Sequence, residues 1–337
     1  MGPNVVFANA SATRCATPVK KISTAANDPM MPVPSPDVAA GAVAQPKRSD
    51  AAFKLSVGFL ALPIALFLTI FFFYPAVQIL MFSFMTQDSK GITGLPLTFS
   101  HYTHFFTVDL YARVFWNTLR ISLTTSVIAI LLGYPVAIVM LRSNPFVART
   151  ITMIIIAPLI VSVVVRSYGW QLVLANGPAG VLNWILMGLG ITSTPLTLLY
   201  SETAVVIGSL HVFFPMMVLP LASALGKIDR NLEDAARTLG APWWRVFGRI
   251  TFPLSIPGLI AGFTLVFSLT AGSFVTPVIL GGTSVIMLGN LIEQQIFVVY
   301  DWPFGATIAV VLVGVVIAIN ALSTRLLQAG KLRRVAL

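Results

Sequence analysis

Charged and aromatic residues cluster where two long apolar stretches of this sequence meet a polar segment. Arg166 lies near the end of one stretch, and Glu202 begins the next. A charge beside a bilayer needs a partner or a wet cavity. These two residues are therefore expected to lie at the membrane interface or pair with each other at an outer gate, or else Glu202 lines a polar path for a cation. A carboxylate on such a path would attract an ammonium group, and aromatic rings would add cation–π attraction. The candidates for this path or its outer gate are Arg166, Tyr168, Trp170, Glu202 and Trp302, with Tyr200 as a further aromatic.

Other reactive residue types are sparse. His101 and His104 have a spacing that suits a metal, but no cysteine or carboxylate cluster supports them. Cys15 is the single cysteine, which excludes an intrachain disulfide. The sequence has no HExxH motif, no GxSxG motif and no GxxxxGK[ST] loop. We therefore expect no metal, no catalytic residue, no cofactor bound by this chain and no ATP hydrolysis by it. His211 is expected to be hydrogen-bonded within a helix bundle.

One basic segment, residues 226–253, carries two short amphipathic patterns. Asp229 or Asn231 can cap the first helix, and Gly240 ends it. Pro242 then opens a second short helix. The first apolar stripe is Leu232, Ala235, Ala236 and Leu239, and the second is Trp243, Val246, Phe247 and Ile250. These stripes must pack either beneath the protein's own helices or into a cleft of a soluble partner.

The composition places the whole chain in a bilayer. Hydrophobic residues make up 57% of it and charged residues only 9%, against roughly 25% charged in soluble domains. The net charge of +10 is spread over short segments between apolar runs, which argues against nucleic-acid binding. Runs of about 20 apolar residues predict six transmembrane helices in an all-α protein. These spans are 55–82, 121–141, 151–172, 203–225, 254–280 and 306–323, with a short extra helix at 181–187.

Lysine and arginine residues set the predicted orientation. They concentrate in 142–149, 226–253 and the C-terminal tail, whereas 172–202 and 281–303 have none. The positive-inside rule then places the N-terminus and the 226–253 loop in the cytoplasm. A seventh span would put that basic loop outside, so it is rejected. In the fifth span, Gly262, Gly272 and Ser273 predict a close-packing face, either internal or toward another subunit. Asp301 and Glu293 in the last outer loop either meet a partner or cap the sixth helix.

The 226–253 loop resembles the "EAA" loop of ABC importer permeases. The matching residues are Glu233, Asp234, Ala235, Ala236, Gly240, Ile250 and Pro253, with Leu239 in the same stripe. Asp234 stands between Glu233 and the alanine pair, so either acid can correspond to the family's glutamate. Phe252 replaces the usual leucine. The resemblance covers about residues 55–330. Further segments resemble the spermidine/putrescine-type permeases, including 133–137, 166–170, 214–220 and 301–305.

The resemblance implies a type I importer (MetI-like) transmembrane domain in the bacterial inner membrane. It implies a coupling loop that docks on a dimer of ATPase subunits, which bind and use ATP and Mg²⁺. It also implies a second homologous permease and a periplasmic solute-binding protein. The expected divisions are a disordered cytoplasmic tail (1–50), the first span with a long periplasmic loop (51–112), the type-1 domain (113–327) and a short tail (328–337). The expected solute is a polyamine, a related cation or an amino-acid-like compound.

Two other classes compete with this interpretation. An ion-coupled secondary transporter or channel would show charged pairs or broken helices in two matching repeats, and no such symmetry is visible. A membrane-embedded enzyme would need a catalytic cluster beside the spans.

Overall fold

The computed structural model describes residues 62–88 and 91–335, with side chains as far as residue 325. The N-terminal tail predicted at 1–50 and the start of the first predicted span lie outside the described residues. Within them the protein is mostly helical. Its helices are α1 (Leu62–Phe82), α2 (Ser100–Thr107), α3 (Asp109–Arg142), α4 (Pro145–Ile160), α5 (Val163–Val173), α6 (Val181–Gly188), α7 (Glu202–Gly226), α8 (Arg230–Thr238), α9 (Trp243–Ala271), α10 (Leu288–Gln294) and α11 (Trp302–Val335).

Five of these helices are long and apolar enough to cross a membrane: α1, α3, α7, α9 and α11. The count becomes six if α4 and α5 together form one span, because they pass the same test as a pair but are bent by 105°. The structure therefore agrees with the predicted six spans only when this bent pair is counted. The short helix predicted at 181–187 is confirmed as α6.

The bend between α4 and α5 corrects the prediction of one continuous helix over 151–172. Pro158 lies in the last turn of α4 and has no N–H group, so it weakens the helix there. Arg166 of α5 folds back and donates a hydrogen bond to the Pro158 carbonyl oxygen. A proline and a side chain that satisfies its carbonyl thus stabilise a break that hydropathy alone does not reveal.

The centre of the bundle is α7, which packs against both α3 and α9. Small residues of α9 allow its backbone to approach α7 closely. A Cβ atom on Gly258 would lie 2.8 Å from the Pro220 carbonyl oxygen, and one on Gly262 would lie 2.6 Å from the Met217 sulfur. The small-residue face predicted around Gly262 therefore packs within this chain at Gly262 itself.

A β-hairpin follows α1. Strand β1 (Met85–Gln87) pairs antiparallel with β2 (Thr93–Leu97). The all-α prediction missed it because Gly94 and Pro96 are poor strand formers. The Gln87 amide then joins the hairpin to the start of α11: its Nε2 donates to the Tyr300 carbonyl at 2.8 Å, and its Oε1 accepts from the Trp302 N–H at 3.2 Å.

Candidate functional site

The helix α8 has well-formed ends. At its start the Asp229 carboxylate accepts a hydrogen bond from the Asn231 N–H at 2.9 Å, so Asp229 is the cap. At its end Gly240 has a φ of +79°, which favours glycine. The N–H groups of Gly240 and Ala241 bond back to the Arg237 and Ala236 carbonyls at 2.9 and 3.1 Å. This double closure is a Schellman motif, and it stops the helix where the sequence predicts.

One side of α8 faces solvent and carries apolar residues. We call Leu232, Ala235 and Leu239 the docking face, because their spacing of three and four places them on one side of a helix. All three are exposed, and Leu239 is 87% exposed. Ala236 lies half-buried at the edge of this face, whereas Asp234 and Gly240 are exposed. Of the two packing options for this stripe, the structure leaves the docking face uncovered by the described part of the chain.

Glu233 lies on a different side of α8 and contacts the bundle. Its Oε2 accepts a hydrogen bond from Arg142 Nη2 at 2.7 Å, an ion pair with the last residue of α3. Its Oε1 accepts from the Thr251 hydroxyl of α9, also at 2.7 Å. The Glu233 side chain is only 13% exposed. The two adjacent acids that the sequence could not separate are thus distinct, because Glu233 is bound inside and Asp234 faces outward.

The second helix of the loop is not a separate element. It begins at Trp243, with Pro242, the predicted start, in the cap position just before it, and continues through a π-helical turn, Phe247–Thr251, into the membrane-spanning part of α9. The helix that contains the fifth span therefore runs over Trp243–Ala271, whereas the sequence placed the span at 254–280. Pro253 directly follows the π-helical turn and does not end the helix. Ile250 and Pro253 are half-buried, and Trp243 is 74% exposed.

Of the alternatives considered for Arg166 and Glu202, the structure does not show the pairing of the two with each other. Glu202, in the first turn of α7, forms an ion pair with Arg120 of α3. Arg166 is buried and donates to the Pro158 carbonyl oxygen instead. No local sequence pattern links Arg120 to Glu202, because the two residues are 82 positions apart.

The aromatic candidates separate into two places. Tyr168 and Tyr200 line a cavity of 450 Å³ together with Gln171, which donates to the Tyr200 hydroxyl at 3.3 Å. Trp170 instead donates its indole N–H to His211 Nδ1 at 3.1 Å, as expected of a hydrogen-bonded histidine in the bundle.

Trp302 is not among the residues that line this cavity; it starts α11, where Asp301 accepts from the Phe304 N–H at 3.0 Å and caps the helix. The described residues contain no group of three or more histidine, cysteine, aspartate or glutamate side chains that could hold a metal.

The chain thus combines a bundle of long apolar helices with a short amphipathic helix on a basic loop. Residues 126–331 match the family described as "Binding-protein-dependent transport system inner membrane component". The chain belongs to this family.

Its curated relatives include two proteins named spermidine/putrescine transport system permease protein PotB. The one from Haemophilus influenzae is 37% identical over 72% of this chain and 84% of its own length. The one from Escherichia coli strain K12 is 33% identical over 77% and 95%. Membership in a binding-protein-dependent family decides between the transport hypotheses: the chain is an ABC importer permease subunit rather than an ion-coupled carrier.

The fold agrees with this assignment. The crystal structure of a bacterial ABC transporter involved in the import of the acidic polysaccharide alginate matches with a TM-score of 0.65, covering 83% of this chain and 97% of that one. At 16% identity this match concerns the fold alone.

Proposed function

We propose that this permease subunit forms half of the translocation path of a polyamine importer. A second homologous permease supplies the other half, a pair of ATPase subunits docks from the cytoplasm, and a periplasmic binding protein delivers the solute. The observation that carries this proposal is the uncovered docking face of α8, placed in a chain that is similar to PotB over most of its length. An apolar helix face on a polar loop is a typical surface for a soluble partner.

In this assembly the ATPase subunits bind ATP and Mg²⁺, and this chain binds neither. Asp234, Ala235, Ala236, Leu239 and Gly240 contact the ATPase, since they lie on or beside the docking face. Ile250 and Pro253 belong to the helical connection that leads from this loop into the membrane. The N-terminus lies in the cytoplasm.

A cationic solute suits the outer cavity. The rings of Tyr168 and Tyr200 offer π faces to ammonium groups, each worth about 0.5–2 kcal/mol. Glu202, two residues after Tyr200, is the candidate gate, and its carboxylate pairs with Arg120 in this structure. An arriving ammonium group would compete with Arg120 for that carboxylate, which would open the ion pair as solute passes.

The proposal is tested by purifying the tagged chain from its native host and reconstituting the recovered complex in proteoliposomes. We expect an ABC ATPase and a second permease to copurify. Labelled spermidine or putrescine should then enter the vesicles only when ATP and the binding protein are present. Copurification without uptake of either polyamine would reject the substrate class, and a partner-free preparation that still transports would reject the assembly.

A further inference from the structure

Three side chains join α8 to the bundle, and we call them the Glu233 latch: Glu233, Arg142 and Thr251. Each carboxylate oxygen of Glu233 accepts one hydrogen bond at 2.7 Å, one from α3 and one from α9. The carboxylate is therefore satisfied from two different spans at once. Charge-assisted hydrogen bonds of this kind are among the stronger contacts between side chains.

A further bond ties α8 to the same end of α3. Arg230 Nη2 donates to the Leu141 carbonyl oxygen at 3.0 Å. Arg230 and Glu233 are three positions apart, so they lie on one side of α8. Leu232, Ala235 and Leu239 are also three and four positions apart, so they share a side of α8 as well. That side, the docking face, is different from the side of Arg230 and Glu233. One short helix thus presents one side to solvent and another to its own bundle.

The helices that hold the latch are packed to each other. Tyr134 of α3 and Ser255 of α9 share a hydrogen bond of 2.8 Å between their hydroxyl groups. This bond lies about two turns from Arg142 along α3 and about one turn from Thr251 along α9. Both helices also pack against α7. A displacement of α8 would therefore reach two central spans through short, directional contacts.

We propose that Arg142 is the positioning residue that couples α8 to the spans, by holding Glu233 against α3 while Thr251 holds it against α9. The proposal rests on the proposed function, in which a partner pulls on the docking face. In this assignment Glu233 transmits movement into the bundle and is not itself a docking residue.

Loss of Arg142 would loosen this contact without altering the docking face. Glu233 would keep only the hydrogen bond from Thr251, and its charge would turn toward water, since a charge with little exposure needs a partner. A cavity of 130 Å³ bordered by Arg142, Glu233 and Thr251 leaves room for that movement. The ATPase would still bind, but its movement would no longer be passed on efficiently.

The test compares R142Q with R149Q in the assembled complex in proteoliposomes. Arg149 carries the same charge in the same basic segment, yet it makes no side-chain hydrogen bond or ion pair with the described residues. For R142Q we expect normal ATPase copurification and hydrolysis, with solute imported per ATP reduced at least about fivefold, the lower end for coupled sites. R149Q should match the wild type. Loss of the ATPase from R142Q, or an unchanged ratio, would overturn the proposal.

Two further measurements separate the latch from a general structural role. R142E should strongly reduce the solute imported per ATP. The double variant R142E/E233R should recover part of that amount, because it restores the ion pair with the charges exchanged. If the double variant shows no recovery, the two residues do not act as a pair. Amide hydrogen exchange across residues 230–240 of the detergent-purified chain needs no transport. It should quicken in R142Q and not in R149Q, and equal rates would reject the latch even if the proposed solute were wrong.

Discussion

Single residues decide how α8 is shaped and held. Gly240 ends it with a positive φ, Asp229 caps it, and Glu233 ties it to two spans. Only the first two act locally, through bonds to neighbours in sequence. The contrast explains why the sequence located the helix ends correctly yet left Glu233 and Asp234 indistinguishable.

At this scale we predict that G240V weakens ATPase docking while the chain still inserts into the membrane. A β-branched residue at a φ of +79° is strained by about 1–2 kcal/mol, so the Schellman closure would open and Leu239 would move. The measurement is ATPase retained on the purified permease. G240N is the control, because asparagine tolerates this conformation. If both variants lose the ATPase equally, the glycine is needed because the partner approaches it closely, and its backbone conformation is not the reason.

Pairs of helices form the next scale, and small residues set their distances. The path of α9 along α7 depends on Gly258, whose position leaves no room for a side chain beside Pro220 and Ala224. One of these two helices, α9, also carries Thr251 of the Glu233 latch.

We predict that G258A destabilises the bundle. Its new Cβ atom would lie 2.5 Å from the Ala224 Cβ and 2.8 Å from the Pro220 carbonyl oxygen, and backbone cannot yield there as a flexible side chain would. Overpacking of this kind costs about 1–3 kcal/mol. Thermal unfolding in detergent should show a lower midpoint. G314A adds the same methyl group where nothing lies within 4 Å, and alanine favours a helix more than glycine does, so it should not lower the midpoint.

The whole molecule is defined by how often the chain crosses the bilayer. The number of crossings depends on the α4–α5 pair, whose 105° bend suits either one span or a segment that returns to the same side. The positive-inside pattern favours one span, because it keeps α8 and its arginines in the cytoplasm.

A labelling experiment determines the number of membrane crossings. In a C15S background, A235C on α8 and L95C on the hairpin are exposed sites for a maleimide that cannot cross membranes. If α4 and α5 form one span, three spans separate the two sites and they label from opposite sides. We expect A235C to react only in inverted vesicles and L95C only in right-side-out vesicles. If both sites label from the same side, only two spans separate them, and the bent pair is re-entrant.

The sequence by itself determined the features that depend on near neighbours or on composition. Hydropathy located the spans because each must bury its own backbone polar groups in lipid, and capping residues located the ends of α8. The EAA pattern pointed to the family. Only the tertiary structure decided that Glu202 pairs with Arg120, that Arg166 closes a break at Pro158, and that Glu233 rather than Asp234 contacts the bundle. Those contacts join distant parts of the chain, so they depend on how the helices pack and leave no periodic trace in the sequence.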